Sequence, residues 1–345
     1  MKYLKHQHGI SLVEVLVALV ISLFLLAGII QVYVGNKSSY TFSNSISRIQ
    51  ENGRYALETM AQDLRMAGFF GCAIFDPDDD AAMDSIVNNL NPDGVGFTDG
   101  IHNFLEKDLV EGTESDGLNG SDSITMRGAE PGNVTVQPPY GSVSAQIKVS
   151  EPHNLVEGDI VMVSNCRGAD ILQISNINQS NGTLVHNTGA GVEPGNYNPD
   201  NCIGGNAHCL SQTYGADSAM FRFRAVTYSI AVGESGEPAL WRSENGVDAE
   251  LVEGIDQMQL LYGVDTTDDD FPNQYMTSTE LIASANDWYD VMSIRLMLLV
   301  RSAALQVVEA PQVITYNGAT TTAADYRLRQ VFSTTIALRN RIGGT

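Results

Sequence analysis

Residues 1–34 read MKYLKHQHG followed by ISLVEVLVALVISLFLLAGIIQVYV. A short basic leader with Lys2 and Lys5 ends at Gly9, and an apolar run starts at once, interrupted near its beginning by a single acid, Glu14. From Val15 to Val34 there is no charge, which matches the ~20 apolar residues an α-helix needs to cross a bilayer. The stretch reads as a membrane helix. A secretory signal peptide would have a shorter apolar core with a small-residue cleavage site behind it, whereas Ala27 and Gly28 are followed by more apolar residues. A plain signal anchor fits the length and the lysines but leaves Gly9 and Glu14 unexplained.

A charge within an apolar span costs ~3 kcal/mol at the helix centre and less near an end, so Glu14 marks a functional position that needs a partner. Cleavage after Gly9 would supply one. The new ammonium on Ile10 would lie one helical turn from Glu14, able to pair with it inside one chain or between axially offset neighbours. In these residues, Gly9, Ile10 and Glu14, the sequence resembles the type IV prepilins. The resemblance implies that a prepilin peptidase cuts after Gly9 on the cytoplasmic side and that Ile10 is then N-methylated. It also makes Glu14 the acid of the fifth mature position. Ile10 departs from the family pattern, in which the first mature residue is most often Phe.

Beyond the span the chain stays free of proline until Pro77. Ile46, Ile49, Leu57, Met60 and Leu64 recur at three- and four-residue spacings, with Arg48, Glu51, Arg54, Glu58, Asp63 and Arg65 between them. This predicts an amphipathic continuation of the helix. Gly28, Gly35 and Gly53 read as tolerated weak points, each costing up to ~1 kcal/mol relative to Ala. After Gly71 the chain enters a loop-rich stretch in Asn, Asp and Gly, and then a series of short strands: 123–127, 133–137, 145–149, 159–164, 171–177 and 183–186. Their spacing suggests a β-rich insert. Longer strands follow at 221–232 and 239–242. Alternation then marks Met258 to Val264, Met292 to Val300 and Tyr326 to Leu338, and these longer strands together are expected to form the main sheet.

The fold class is therefore α+β: a long N-terminal helix packed on an antiparallel sheet. The pilin fold that the resemblance implies has the same architecture. It divides the chain into a cleaved leader (1–9), a transmembrane assembly helix (10–34), its amphipathic continuation (35–70) and a globular β-rich domain (71–345) with inserted strands at about 121–190.

Against 19 basic residues stand 41 acids, a formal charge of -22, so the body repels phosphate backbones and direct nucleic-acid binding is not expected. The four cysteines, Cys72, Cys166, Cys202 and Cys209, all lie beyond the span, and an even count on the exported side reads as two disulfides. Three pairings are open, of which Cys202 with Cys209 and Cys72 with Cys166 is preferred. Zinc at Cys202, His208 and Cys209 lacks a CxxC pair. The acidic clusters Asp76, Asp78 to Asp80 and Asp265, Asp268 to Asp270 do not follow the alternating calcium loop, so no metal or cofactor is expected. Arg327, Arg329, Arg339 and Arg341 form a basic strip, to be read either as a strand face paired with the chain's own acids or as a docking edge for an acidic subunit. No phosphate loop, GxSxG elbow or HExxH occurs, which argues against an enzyme.

The size, the inserted strands and the stretches NLVEGDIVMVSNC (154–166), VMSIRLMLLVRS (291–302) and RLRQVFSTTIALRNR (327–341) resemble the PilW-type minor pilins. That resemblance implies a subunit anchored in the inner membrane with its domain in the periplasm, later carried into a pilus at the cell surface. Its implied partners are the prepilin peptidase, other minor pilins and the major pilin, a tip adhesin, the inner-membrane assembly platform, and membrane lipid before assembly. The implied role is pilus initiation at the tip, supporting twitching motility, adhesion and DNA uptake. A minor pseudopilin of a type II secretion system uses the same N-terminal logic, and a membrane-anchored periplasmic binding protein or enzyme that never polymerises is the reading from another class.

Overall fold

A computed structural model describes residues 11–71, 86–91, 109–140, 144–188, 191–197, 210–267, 269 and 271–340. One helix, α1 (Leu12–Met66), dominates the N-terminal part. Its run of apolar residues holds no proline, and Ser11 starts it by accepting the Glu14 N–H on its side chain at 3.2 Å. Its end is equally well defined. Gly68 takes a left-handed conformation (φ +72) that a side chain would resist, and donates to Arg127 O at 2.9 Å. Asn340, near the far end of the chain, donates to Ala67 O at 3.0 Å, so the helix terminus and the last described strand are tied together.

The strands follow in order: β1 (Ile86–Asn88), β2 (Val110–Thr113), β3 (Ser123–Gln137), β4 (Gln146–Val149), β5 (Ile160–Asn165), β6 (Gly168–Gln173), β7 (Asn176–Asn178), β8 (Thr183–Val185), β9 (Ala219–Val232), β10 (Pro238–Glu244), β11 (Val247–Glu253), β12 (Ile255–Val264), β13 (Gln274–Met276), β14 (Val291–Arg301), β15 (Val313–Tyr316), β16 (Ala319–Thr322) and β17 (Arg329–Ala337). A short helix, α2 (Ser278–Ala283), opens with a capping box between Thr277 and Glu280. Strands β1 to β11 form one large sheet, β13-β12-β14-β17 a second, and β15-β16 a hairpin.

Two expected strands, 123–127 and 133–137, are one strand, β3, whose pairing with β9 shifts register between Glu130 and Val134 to absorb Pro131, Gly132 and Asn133. A larger correction concerns sheet membership. Strands β9 and β10 were expected in the main sheet with β12, β14 and β17, yet they belong with the short strands of 123–185. The reason is the length of β9. It pairs with β3 along one edge, while its other edge is shared by β5 at Ala219 to Arg222 and β10 at Val226 to Val232. Asn245, at the tip of the β10-β11 turn, fills the gap by exchanging hydrogen bonds with the Ala225 backbone at 2.8 and 2.9 Å. The chain changes sheet at Gly254 (φ +86), a position that glycine holds without a Cβ penalty. Strand β11 was not anticipated, because VDAELVE carries three acids in seven residues.

The outer part of α1 packs on these sheets. Ser45, Ile49, Gly53, Ala56, Met60, Asp63 and Leu64 are buried along one face, over a core that includes Met126, Tyr228, Met258, Leu296 and Ile336. A close approach is at Gly53, where a Cβ would lie 2.6 Å from the ring of Phe332 on β17. Gly53 is therefore a contact point of helix and sheet. Helix propensity alone favours Gly53→Ala by about 1 kcal/mol, but the displaced ring outweighs it, for an expected net loss of about 1–2 kcal/mol. Thermal unfolding of the full chain in detergent checks this against Gly35→Ala, where nothing lies within 4 Å and no loss is expected.

Candidate assembly site

Residues Leu12 to Val34 of α1 are exposed throughout, and this is the one helix among the described residues long and apolar enough to cross a membrane. Leu23, Leu25, Ile29 and Val32 are each more than half exposed. A soluble chain does not leave a contiguous apolar surface of this size without a lipid or protein neighbour to cover it. The span is continuous with the docked half, so one helix joins the apolar end to the domain. Glu14 sits one turn into this surface with its backbone capped by Ser11, and no cation of the described residues pairs with its carboxylate. Gly9 and Ile10 lie outside the described residues.

Beside its apolar contacts the docked half carries an ion-pair cluster that the sequence reading missed. Asp63 was expected among the solvent-facing charges of α1, but it is buried. Its carboxylate accepts from Arg224 Nη2 at 2.9 Å, Arg242 Nε at 3.0 Å and the Tyr228 hydroxyl at 2.7 Å. Glu244 accepts in turn from Arg242 at 2.6 Å and lies 3.6 Å from Arg224. Burial first, and then the Asp63 charge, push the Tyr228 hydroxyl well above the usual tyrosine range, so it stays a donor. The signal was present in the spacing: Asp63 falls three residues after Met60 and next to Leu64, on the buried stripe. It stayed hidden because its three partners sit on β9 and β10, far away in sequence.

A second cluster binds the sheets to each other. Glu237 bridges Arg301 and Arg327, the latter at 2.7 Å, and Asp256 accepts from Arg301 at 3.1 Å and from Arg329 at 3.0 Å. The hydrogen bond from Arg329 holds the Asp325 carboxyl down at about 2. Two members of the expected basic strip, Arg327 and Arg329, are thus occupied by the chain's own acids. Arg339 is exposed, and Arg341 lies outside the described residues.

Among the cysteines only Cys166 lies in the described residues, and it is disulfide-bonded. Cys72, Cys202, Cys209 and His208 lie outside them, as do Asp76 and Asp78 to Asp80. In the other acidic cluster, Asp265 is spent on its own turn, accepting the N–H groups of Thr267 and Asp269 at 2.9 Å each. No group of His, Cys, Asp and Glu among the described residues is placed to hold a metal ion.

Comparison with known families gives two matches at opposite ends of the chain. The prokaryotic N-terminal methylation motif matches residues 4–30, and the type IV pilus-assembly protein W family matches residues 227–340. Over these two stretches the chain is similar to type IV prepilins and to the PilW family. The first match takes in Glu14 and most of the exposed span. The second begins inside β9 and takes in β10, β11 and the whole β13-β12-β14-β17 sheet on which α1 rests. The remaining strands of the large sheet, β1 to β8, lie outside both matches. No curated protein and no solved structure matches the chain.

Proposed function

We propose that this PilW-type protein is a minor pilin that initiates a type IV pilus and remains in its tip complex, a structural role with no catalytic step. The observation that carries the reading is the uncovered helical span of Leu12 to Val34, bearing Glu14 and matched by the methylation motif. Before assembly the span lies in the inner membrane with the domain in the periplasm. After cleavage behind Gly9 by the prepilin peptidase and N-methylation of Ile10, it leaves lipid for a bundle of like helices. Glu14 is then neutralised by the terminal ammonium of a neighbour. The bulky domain suits a tip position beside other minor pilins and an adhesin better than a repeat along the shaft.

The cysteine pairing proposed with this reading is Cys72 with Cys166 and Cys202 with Cys209. The Ser164 hydroxyl donates to Phe70 O at 3.3 Å, so the segment leading to Cys72 runs beside the strand leading to Cys166. Such a bridge would pin the loop after α1 to β5.

Mass spectrometry of the protein purified from its native membrane tests the pathway. The expected N-terminus is N-methylated Ile10. A chain beginning at Met1, or cut behind the apolar run, would remove the basis of the assembly role.

A further inference from the structure

Strand β17 closes one side of the four-stranded sheet, and half of its backbone is spoken for. Leu338 donates to Met292 O at 2.9 Å and Ser302 donates to Leu328 O at 2.8 Å. In this antiparallel ladder the even-numbered residues from 328 to 338 therefore exchange their bonds with β14, and the odd-numbered ones turn N–H and C=O to the other side. At Arg329 the side chain of Gln312 takes both groups, at 2.8 and 2.9 Å. At Val331, Ser333, Thr335 and Ala337 no hydrogen-bonding partner from the described residues meets them, and all four side chains are exposed.

Open edges in soluble proteins are ordinarily blunted by charge, proline, a bulge or a covering element. Strand β11, the outer strand of the large sheet at β10, uses two of these: it carries Asp248, Glu250 and Glu253, and Asn52 of α1 caps Glu253 O at 2.9 Å. Strand β17 uses none along its open part. Residues 330–338, QVFSTTIAL, hold no charge and no proline, and the pairing with β14 runs without a register shift. Such a strand is a template for another.

The flanking charges say which kind. Two copies of this chain pairing antiparallel through all four open residues would set Val331 against Ala337 and Ser333 against Thr335. That register also brings each Arg339 opposite the other copy's Arg329, whose charge Asp256 and Asp325 already neutralise, so a second copy brings Arg339 no free carboxylate. Arg339 is exposed and has no ion pair among the described residues. An uncharged extended segment ending in carboxylates meets both demands.

We propose that β17 is an acceptor edge that takes an extended segment of a different protein chain as an added strand, with a carboxylate of that segment placed on Arg339. The added strand would bond to Val331, Ser333, Thr335 and Ala337. This stands whether or not the chain polymerises through its helix, because β17 is separate from the apolar span.

The test uses the full chain in detergent and a synthetic peptide of alternating Val and Thr with Glu at both ends, followed by amide hydrogen exchange. In the free chain the Phe332, Thr334 and Ile336 amides are expected to be protected and those of Val331, Ser333, Thr335 and Ala337 to exchange freely. The peptide is expected to slow those four. Thr335→Pro removes an outward donor without touching the β14 ladder, and should weaken the peptide at least about tenfold while Ile336 stays protected. Arg339→Glu, which leaves the strand itself intact, should transfer preference to a peptide ending in Lys. Protection of the four amides in the free chain would overturn the proposal, whether constant or rising with protein concentration as a second copy would make it. So would equal binding by Thr335→Pro, or a peptide that protects nothing.

Discussion

Replacing Asp63 by Ala is expected to destabilise the domain by about 3–5 kcal/mol, the range for removing one partner of a buried ion pair and leaving the other uncompensated. Here two cations are left. Arg224 and Arg242 are mostly buried, and both aim at the vacated position across distances of 2.9 and 3.0 Å. The Tyr228 hydroxyl, completely buried, loses its acceptor as well. Glu244 compensates only in part, because it already accepts from Arg242. Asp63 also lies on the turn of α1 that meets β9 and β10, so the loss is a loss of coupling between the helix and the large sheet. Urea unfolding of the full chain in detergent measures it. Arg54→Ala is the control, since the Arg54 to Glu58 pair is exposed and 3.8 Å apart, and no measurable change is expected. An Asp63→Ala protein as stable as the parent would show that the cluster is incidental to the fold.

Glu14→Leu is expected to have the opposite profile, with unchanged folding and loss of assembly. The side chain is exposed on α1, far along the helix from the residues buried in the domain, so nothing in the sheets senses it. Leucine would even ease residence in lipid, because a charge in the apolar span is costly. What disappears is the group proposed to fix the axial position of one helix against a neighbour's terminal ammonium. The measurement is filament incorporation in cells, by immunoblot of sheared surface material, beside an unfolding curve of the purified variant. Normal incorporation of Glu14→Leu would remove the proposed ion pair. Loss of stability in the variant would instead point to a contact of Glu14 inside the domain.

The two variants divide the molecule along its helix. Stability resides where α1 meets β9, β10 and β17, and the proposed assembly chemistry resides in the half of α1 that meets no other element among the described residues. A single unbroken helix is a sound mechanical link between them, since hydrogen bonds along its length leave no hinge among Leu12 to Met66. That is also why Gly53 has to stay small while Gly35 is free: one lies under Phe332 and the other faces open space.

Much of this was legible from residue order. The membrane-length run and the acid near its start, Glu14, are local patterns, complete within a few helical turns. The buried positions Ile49, Met60 and Leu64 follow from a 3.6-residue period. The alternation of Met258, Leu260, Tyr262 and Val264 likewise gave β12 and its inward face, because period-two burial is written into the strand itself. Tertiary structure alone decided which strands share a sheet, that Asp63 is buried, and that β17 is left open. Each depends on a partner remote in sequence: Arg242 for Asp63, β3 for β9, and for β17 the lack of a further strand among the described residues. A periodicity reports which side of an element is apolar, but not what lies against it. That second fact is fixed only when long-range pairing selects the neighbours.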